Sequence, residues 1–265
     1  MLVTVRPETG LTLDAEVTGA GEPLLLLQGM SAHRGMWGDE FINRLESQFT
    51  VAVYDHRGIG ESSRAQEPFT VTDLADDAKA LMDNLGWESA HVVGTSMGGM
   101  VAQQLCLRAP ERVRSVIFGC TTAGGPTGLE GPGAPRLVEA IASRNAEVAV
   151  RTAFEVNVSA EFAERPLEYE RFAKASAARR VPSAVVQLQA AACLGHNVID
   201  QLESITSRAA VIHGAEDEMI LPSEGRKLAE RISGASHQEW AGVGHLFWWE
   251  RPAETAAFIT AHAKA

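Results

Sequence analysis

Apolar runs alternate with amphipathic segments along most of the chain. The apolar runs predict strands at residues 23–29, 49–54, 90–94, 113–119 and 208–213, with a further short strand at 236–240. Helical spacing of apolar positions predicts helices at residues 38–47, 71–85, 97–108, 222–232 and 252–263. A hairpin is predicted within residues 1–18, turning around Glu8-Thr9-Gly10. This alternation predicts an α/β fold, with a mostly parallel twisted sheet and helices on both of its faces.

One long segment departs from this alternation. Residues 124–203 begin with GGPTGLEGPGAP and continue rich in Ala, Arg and Glu, without the pattern of a buried strand. We therefore predict a helical cap insertion over the carboxyl edge of the sheet, where folds of this class bind ligands. The core would then comprise residues 1–123 and 204–265, which makes one domain with an insertion.

Composition and charge narrow the classes of partner. The formal net charge of -11 offers no basic surface to nucleic acid or to anionic lipid, so small molecules are the expected partners. Cys106, Cys120 and Cys193 are odd in number and widely spaced, which argues against a disulfide framework or a zinc site. The start of the sequence has no signal-peptide pattern, and its longest apolar stretch is too short to span a membrane. These features predict a cytoplasmic protein.

The stretch HVVGTSMGGMVAQ places a serine at a sharp corner between a predicted strand and a predicted helix. A serine on such a turn has a strained backbone, and the turn has no room for side chains two residues to either side. Gly94 and Gly98 satisfy that requirement, and Gly99 follows. Ser96 is therefore a candidate nucleophile; the simpler alternative is a serine N-cap before a glycine-rich helix start.

A serine nucleophile needs a base to take its proton and a carboxylate to orient that base. Asp217 lies in the loop after the strand AAVIHG, and His245 follows the last predicted strand within AGVGH. Both would therefore reach the same sheet edge as Ser96. We predict a triad of Ser96, Asp217 and His245.

Other residues compete for the acid and base roles. The alternative acids are Glu216, Glu218 and Asp55, and the alternative bases are His33 and His196. Side-chain length and loop register favour Asp217, while no carboxylate can be placed beside either alternative base. His213 is expected to pack at a strand end.

Five spaced motifs give the chain a family resemblance: LLLQG, YDHRGIGES, GTSMGG, VIHGAEDEMILP and GVGHLFWWERP. Over essentially its whole length the chain resembles α/β-hydrolase-fold proteins, in particular single-domain esterases and lactonases similar to aclacinomycin methylesterase, enol-lactonase and cofactor-free haloperoxidase. The resemblance implies an oxyanion hole formed by the backbone amides of Met30 and Met97. It also shows one departure, because the usual His-Gly dipeptide is here Gln28-Gly29.

Candidate substrate contacts follow from position along the chain. Gln28 and Trp37 lie in and after the predicted oxyanion loop, and Cys120 ends a strand at the cleft edge, as a reactive or an inert buried thiol. The aromatic run at 246–249 is expected to pack the last helix against the sheet. The insertion carries Arg144, Arg151, Arg179 and Arg180, which could meet an anionic substrate or form a solvated helix face.

Together these residues predict hydrolysis of a carboxylic ester or lactone of a small to medium, largely apolar molecule, with no metal or organic cofactor. Hydrolysis of a carbon–carbon bond in a dienone acid, or peracid formation as in haloperoxidases, would use the same triad. An arginine directed at the pocket would favour the carbon–carbon hypothesis. A third possibility, from another class, is a ligand-binding protein without useful turnover.

Overall fold

The structure is a computed structural model that describes residues 1–125, 128–179 and 181–265. Its eight strands are β1 (Leu2–Arg6), β2 (Leu11–Gly19), β3 (Glu22–Leu27), β4 (Phe49–Tyr54), β5 (Ala90–Thr95), β6 (Val113–Gly119), β7 (Arg208–Gly214) and β8 (Ser236–Trp240). The α-helices are α1 (Asp39–Glu46), α2 (Val71–Asn84), α3 (Met97–Arg108), α4 (Gly133–Ala142), α5 (Ala146–Glu155), α6 (Ala160–Ala163), α7 (Pro166–Ala177), α8 (Ser183–Leu194), α9 (Pro222–Arg231), α10 (Phe247–Glu250) and α11 (Pro252–Lys264).

All eight strands form one sheet in the order β1-β2-β4-β3-β5-β6-β7-β8. The β1–β2 and β2–β4 pairs are antiparallel, and every pair from β4 onward is parallel. The direction of chain progression across the sheet changes beside β3, which pairs with both β4 and β5. The carboxyl ends of β3 and β5 therefore meet at a switch point, where open α/β sheets bind their ligands.

The continuous apolar runs arise because the central strands are buried on both faces. In β3, Leu25 and Leu27 pack into a cluster with α2, α3 and α9, whereas Leu24 and Leu26 pack into a cluster with α1 and α11. All four leucines are fully buried. Helices thus cover both faces of the sheet, and the predicted fold class is confirmed.

Helices α4 to α8 all lie between β6 and β7, inside the predicted insertion. Phe154, Phe162 and Phe172 form an apolar cluster of their own there, joined by Met36 from the core. The predicted boundaries at residues 124 and 203 stay a prediction. Three positions in this segment, 126, 127 and 180, lie outside the described residues.

None of the helices in the described part of the chain combines the length and the apolar character needed to cross a membrane.

Candidate active site

Ser96 lies on the corner between β5 and α3, with φ 54° and ψ -121°. This left-handed backbone is unusual for a residue with a side chain and is held by Thr121, whose hydroxyl donates to the Ser96 carbonyl at 2.7 Å. A Cβ on Gly94 would overlap the carbonyl of Gly98, and one on Gly98 would overlap the carbonyl of Leu27. Close backbone approach therefore accounts for both glycines around the serine.

Asp217 and His245 meet at the carboxyl ends of β7 and β8. His245 Nδ1 lies 2.7 Å from Asp217 Oδ2, and both side chains are buried. The other carboxylate oxygen, Oδ1, accepts from the amides of Met219 at 2.8 Å and Ile220 at 3.0 Å. The Asp217 carboxylate is thus fixed in place and fixes the imidazole of His245.

The electrostatics of this pair favour an ionised acid. Burial raises the pKa of the Asp217 carboxyl, but the charge of His245 and hydrogen bonds from His213 and His245 outweigh it. The pKa therefore lies well below its usual range, and Asp217 is a carboxylate at neutral pH.

His213 is a part of the site that the sequence interpretation missed. It is the last residue but one of β7 and is fully buried. The sequence predicted only that it packs at the strand end. Its Nε2 lies 3.0 Å from Asp217 Oδ2 and 2.8 Å from the carbonyl of Ile220. The signal in the sequence was the spacing of four positions between His213 and Asp217. The three residues between them form a turn that places the two side chains next to each other.

Ser96 and His245 line one cavity of about 670 Å³ between the sheet edge and the cap. The cap contributes Val150 and Ala153 from α5 and Phe172 from α7, and most other lining residues are apolar. A cavity of this size and character suits a small, largely apolar molecule.

The two predicted oxyanion donors lie next to the serine. Met97 is the first residue of α3, and Met30 lines the cavity. Neither backbone amide donates a hydrogen bond to another described residue. A Cβ on Gly29 would lie 3.1 Å from the Cβ of Ser96, so the loop that carries Met30 packs directly against the serine. Both amides are thus without a hydrogen-bond acceptor in the described part of the chain, as an oxyanion donor requires.

Gln28 holds the predicted oxyanion loop through hydrogen bonds of its own side chain and backbone. Its Oε1 accepts from the amide of Gly29 at 3.0 Å and from the hydroxyl of Thr95 at 3.4 Å. The imidazole of His56 donates from Nε2 to the Gln28 carbonyl at 3.0 Å. Gln28 also lines the cavity. The loop is therefore hydrogen-bonded with glutamine in place of the usual histidine.

A family model described as "alpha/beta hydrolase fold" matches residues 22–252. The chain belongs to the α/β hydrolase fold family. This membership confirms the predicted resemblance and the prediction of a hydrolase.

Relatives of this α/β hydrolase match it over part or nearly all of its length. Rhodomycin D methylesterase DauP from Streptomyces sp. (strain C5) is 30% identical over 291 residues, which cover 96% of each chain. The RutD protein of Azorhizobium caulinodans is 41% identical over 112 residues, although that match spans only 42% of each chain. The crystal structure of the enol-lactonase from Burkholderia xenovorans LB400 has a TM-score of 0.85 and 24% identity, with all of both chains covered, and shows the shared fold.

Two predicted substrate contacts of this hydrolase, Trp37 and Cys120, do not line the cavity. Trp37 is 1% exposed and packs in the core, with its ring centroid 5.0 Å from that of Trp248 and 5.8 Å from that of Phe41. Cys120 is fully buried, and neither residue is part of the lining. The aromatic run takes part instead, because Leu246 and Trp248 line the cavity while Phe247 packs in the core.

Cys120, Asp217 and His245 place potential ligand atoms within 4.8 Å of one another, a grouping that resembles a metal site. Burial and the nearby Asp217 charge raise the pKa of the Cys120 thiol well above its usual range, so it stays a thiol. Metal ligation requires the thiolate, and Asp217 already accepts four hydrogen-bond donors. These residues do not fit a metal centre.

The competing acids have other partners. Glu218 pairs with Arg136 at 2.6 Å near the surface, and Glu216 accepts from a backbone amide at the start of α6 at 3.3 Å. Asp55 is fully buried and accepts from the amide of Arg34 at 2.6 Å. Only Asp217, among the acids considered, contacts His245.

The competing bases form their hydrogen bonds with other partners. His33 lines the cavity, but its Nε2 bonds the carbonyl of Ala175 at 3.0 Å and its Nδ1 accepts from the amide of Gly35 at 3.1 Å. His196 lies in the interior with its Nε2 3.0 Å from Gln103 Oε1. Neither imidazole contacts a carboxylate in a triad arrangement.

The arginines of the insertion differ in whether they are exposed, packed on another side chain or part of the cavity lining. Arg144 is exposed, and Arg151 lies over the ring of Tyr169, 3.3 Å from its centroid. Arg179 lines the cavity, whereas Arg180 lies outside the described residues. Of the three arginines that the structure describes, Arg179 therefore reaches the site.

Proposed function

We propose that this chain is a serine hydrolase that cleaves a carboxylic ester or lactone through an acyl-enzyme. The observation that carries the proposal is one cavity that contains both Ser96, on its strained corner, and His245, bonded at 2.7 Å to the Asp217 carboxylate. The fold of this corner does not require an imidazole paired with a carboxylate. Proton transfer from a serine nucleophile does require one.

Each group has a defined step. His245 takes the proton of Ser96 through Nε2, because Nδ1 is engaged by Asp217, and Ser96 attacks the carbonyl carbon. The amides of Met30 and Met97 stabilise the oxyanion that develops. The imidazolium then protonates the leaving alcohol, and water activated by the same imidazole releases the acid and restores Ser96.

The apolar cavity and the relatives' names favour an ester or lactone as substrate. One relative is named a methylesterase, and a neighbour of the same fold is an enol-lactonase. A lining made mostly of alkyl and aromatic side chains would hold an uncharged molecular body beside Ser96.

The test is hydrolysis of a chain-length series of p-nitrophenyl esters and a few lactones by the native protein and Ser96→Ala. We expect kcat/KM to fall by roughly 10⁴-fold to 10⁶-fold in the variant. Ser47→Ala, an exposed serine at the end of α1, is the matched control and should keep native rates. A fluorophosphonate should add one covalent group to the native protein and none to Ser96→Ala. Equal esterase rates in both proteins would refute the proposal.

Arg179 supports the carbon–carbon alternative as a second candidate, because it is an arginine at the pocket wall. A dienone acid offered beside the ester series distinguishes the two. Ser96-dependent turnover of the dienone acid without ester hydrolysis would favour carbon–carbon cleavage. Ligand binding with no Ser96-dependent turnover of any substrate would favour a binding protein.

A further inference from the structure

Arg179 brings a permanently charged side chain to the cavity wall. Among the described residues that line it, Arg179 is the one with a permanently charged side chain, and none is an aspartate or glutamate. Arg179 follows the end of α7, and 27% of its side chain is exposed. A ligand in the cavity therefore meets a cationic group at this point of a wall that is mostly apolar.

The guanidinium of Arg179 is anchored from behind. Its Nη1 lies 2.9 Å from Asp14 Oδ2 and 3.1 Å from Asp55 Oδ2, and both carboxylates are buried. Arg34 Nη1 pairs with the same two carboxylates at 3.1 and 3.5 Å, and the N-terminal ammonium and Glu16 extend this network of ion pairs. This network orients Arg179 before any substrate arrives, which lowers the entropic cost of binding.

The opposite edge of the same guanidinium is not engaged. Nε and Nη2 of Arg179 make no hydrogen bond within the described ranges. That edge is the one with which arginine holds a carboxylate side-on. The chain uses it in this way elsewhere: Arg57 Nε and Nη2 both lie 2.7 Å from the Asp77 carboxylate.

We infer that Arg179 binds a carboxylate of the substrate, at a distance from the bond that Ser96 cleaves. The substrate class is then an ester or lactone with an apolar body and a remote acid group. This inference rests on the proposed serine hydrolase function and specifies its substrate. It also gives a role to an arginine that would otherwise only fasten the cap to the core.

Matched substrate pairs test the inference. Mono-p-nitrophenyl glutarate and p-nitrophenyl valerate have acyl chains of equal length that end in a carboxylate and a methyl group. A second pair, 4-acetoxybutanoate and butyl acetate, places the acid on the alcohol side and is followed by acid release. We expect the native protein to prefer the acid member of at least one pair by about tenfold or more in KM, the range of a charge-assisted bidentate contact.

Variants assign the preference to Arg179. In Arg179→Met, KM for the acid member should rise about tenfold or more, while the neutral member changes less than about twofold. Arg179→Lys should restore only part of the preference, because an ammonium is a point charge without the planar fork. Arg165→Met is the control: this exposed cap arginine pairs with Glu161 at 2.8 Å outside the cavity lining, and its loss should leave the preference of the native protein unchanged.

The outcomes separate this inference from the function on which it rests. Native protein with no acid preference in either pair would overturn the inference, even if Ser96→Ala is inactive. An equal loss on acid and neutral members in Arg179→Met would also overturn it and leave Arg179 as a structural tie between cap and core. Esterase activity that survives in Ser96→Ala would refute the serine mechanism instead.

Discussion

His213 Nε2 lies 3.0 Å from Asp217 Oδ2, the same oxygen that His245 Nδ1 contacts at 2.7 Å. Two imidazoles therefore share one carboxylate oxygen, and only His245 reaches the cavity. Asp217 Oδ1 is occupied by two backbone amides, so all four donors together fix the plane of the carboxylate. His213 is then a positioning residue that acts through Asp217.

We expect His213→Leu to lower kcat by about tenfold to 100-fold with little change in KM, because only the alignment of His245 is weakened. His213→Gln should recover part of the rate, since its amide can donate to Asp217. Steady-state kinetics on one p-nitrophenyl ester measures both effects. His262→Leu, at a surface helix far from the cavity, should behave as native protein. Native kcat in His213→Leu would show that the two amides hold Asp217 without help.

Glu250 connects the loop of the predicted base to the cap. Its Oε1 accepts from the amides of Gly244 at 2.7 Å and Ser159 at 3.0 Å, and its Oε2 accepts from the Ser159 hydroxyl at 2.5 Å. Gly244 directly precedes His245, so this carboxylate holds the backbone beside the imidazole. Burial raises the pKa of Glu250 despite these hydrogen bonds.

We expect Glu250→Ala to reduce the free energy of unfolding by about 2 to 4 kcal/mol, because it leaves buried donors without acceptors. Its kcat should fall as well, since the His245 loop loses its anchor. Glu250→Gln keeps an acceptor oxygen and should lose less of both. Urea unfolding and ester kinetics provide the measurements, with the exposed Glu254→Ala as control. A stable Glu250→Ala protein with native kcat would contradict the prediction.

The close contact of α3 with β3 gives a third prediction. A Cβ on Gly98 would overlap the carbonyl oxygen of Leu27. That oxygen belongs to the backbone of β3 and cannot easily shift. We expect Gly98→Ala to cost about 3 kcal/mol or more of stability and to displace Ser96. In Gly195→Ala the new Cβ would be 3.4 Å from its nearest neighbour, so that helix-end control should change stability by less than about 1 kcal/mol. Similar thermal midpoints for the two variants would show that the corner can relax.

The sequence pattern located most core elements because central strands are apolar on both faces, a feature that depends on local sequence alone. Strand ends were less exact: residues 23–29 were predicted as a strand, but β3 ends at Leu27. Gln28 and Gly29 lie in the loop that follows, which is the predicted oxyanion loop, since an apolar pattern cannot distinguish the last strand residue from the turn after it. The predicted hairpin and the helix predicted at residues 97–108 match β1, β2 and α3.

Side-chain direction was harder to predict than position along the chain. Trp37 follows the oxyanion loop, yet it points into the core because Trp248, from the far end of the sequence, packs against it. The same tertiary dependence separates Arg179 from the other arginines of the insertion, because its partner Asp14 is brought to it only by the finished sheet and cap. Chemistry-bearing motifs are local, whereas the contacts that tune them are not.

The buried histidine His196 makes acid sensitivity a further consequence of the fold. It is 4% exposed, and burial lowers its pKa to about 4. In the unfolded chain a histidine takes up a proton near its ordinary pKa of about 6.5, while the folded protein resists protonation until about pH 4. Stability from this residue is therefore complete above about pH 6.5 and is lost as the pH falls toward 4.

We expect the native protein to lose about 2 kcal/mol of unfolding free energy through His196 between about pH 7.5 and about pH 5. His196→Gln can still donate to Gln103 but does not titrate, so its pH-dependent loss should be smaller than the native loss by that amount. Urea unfolding at both pH values gives the difference. His237→Gln, at an exposed histidine whose pKa is also lowered by partial burial, should keep more of the native loss than His196→Gln keeps. If His196→Gln and native protein lose equal stability, His196 must already be protonated, or paired with a group that takes up the charge, in the folded state.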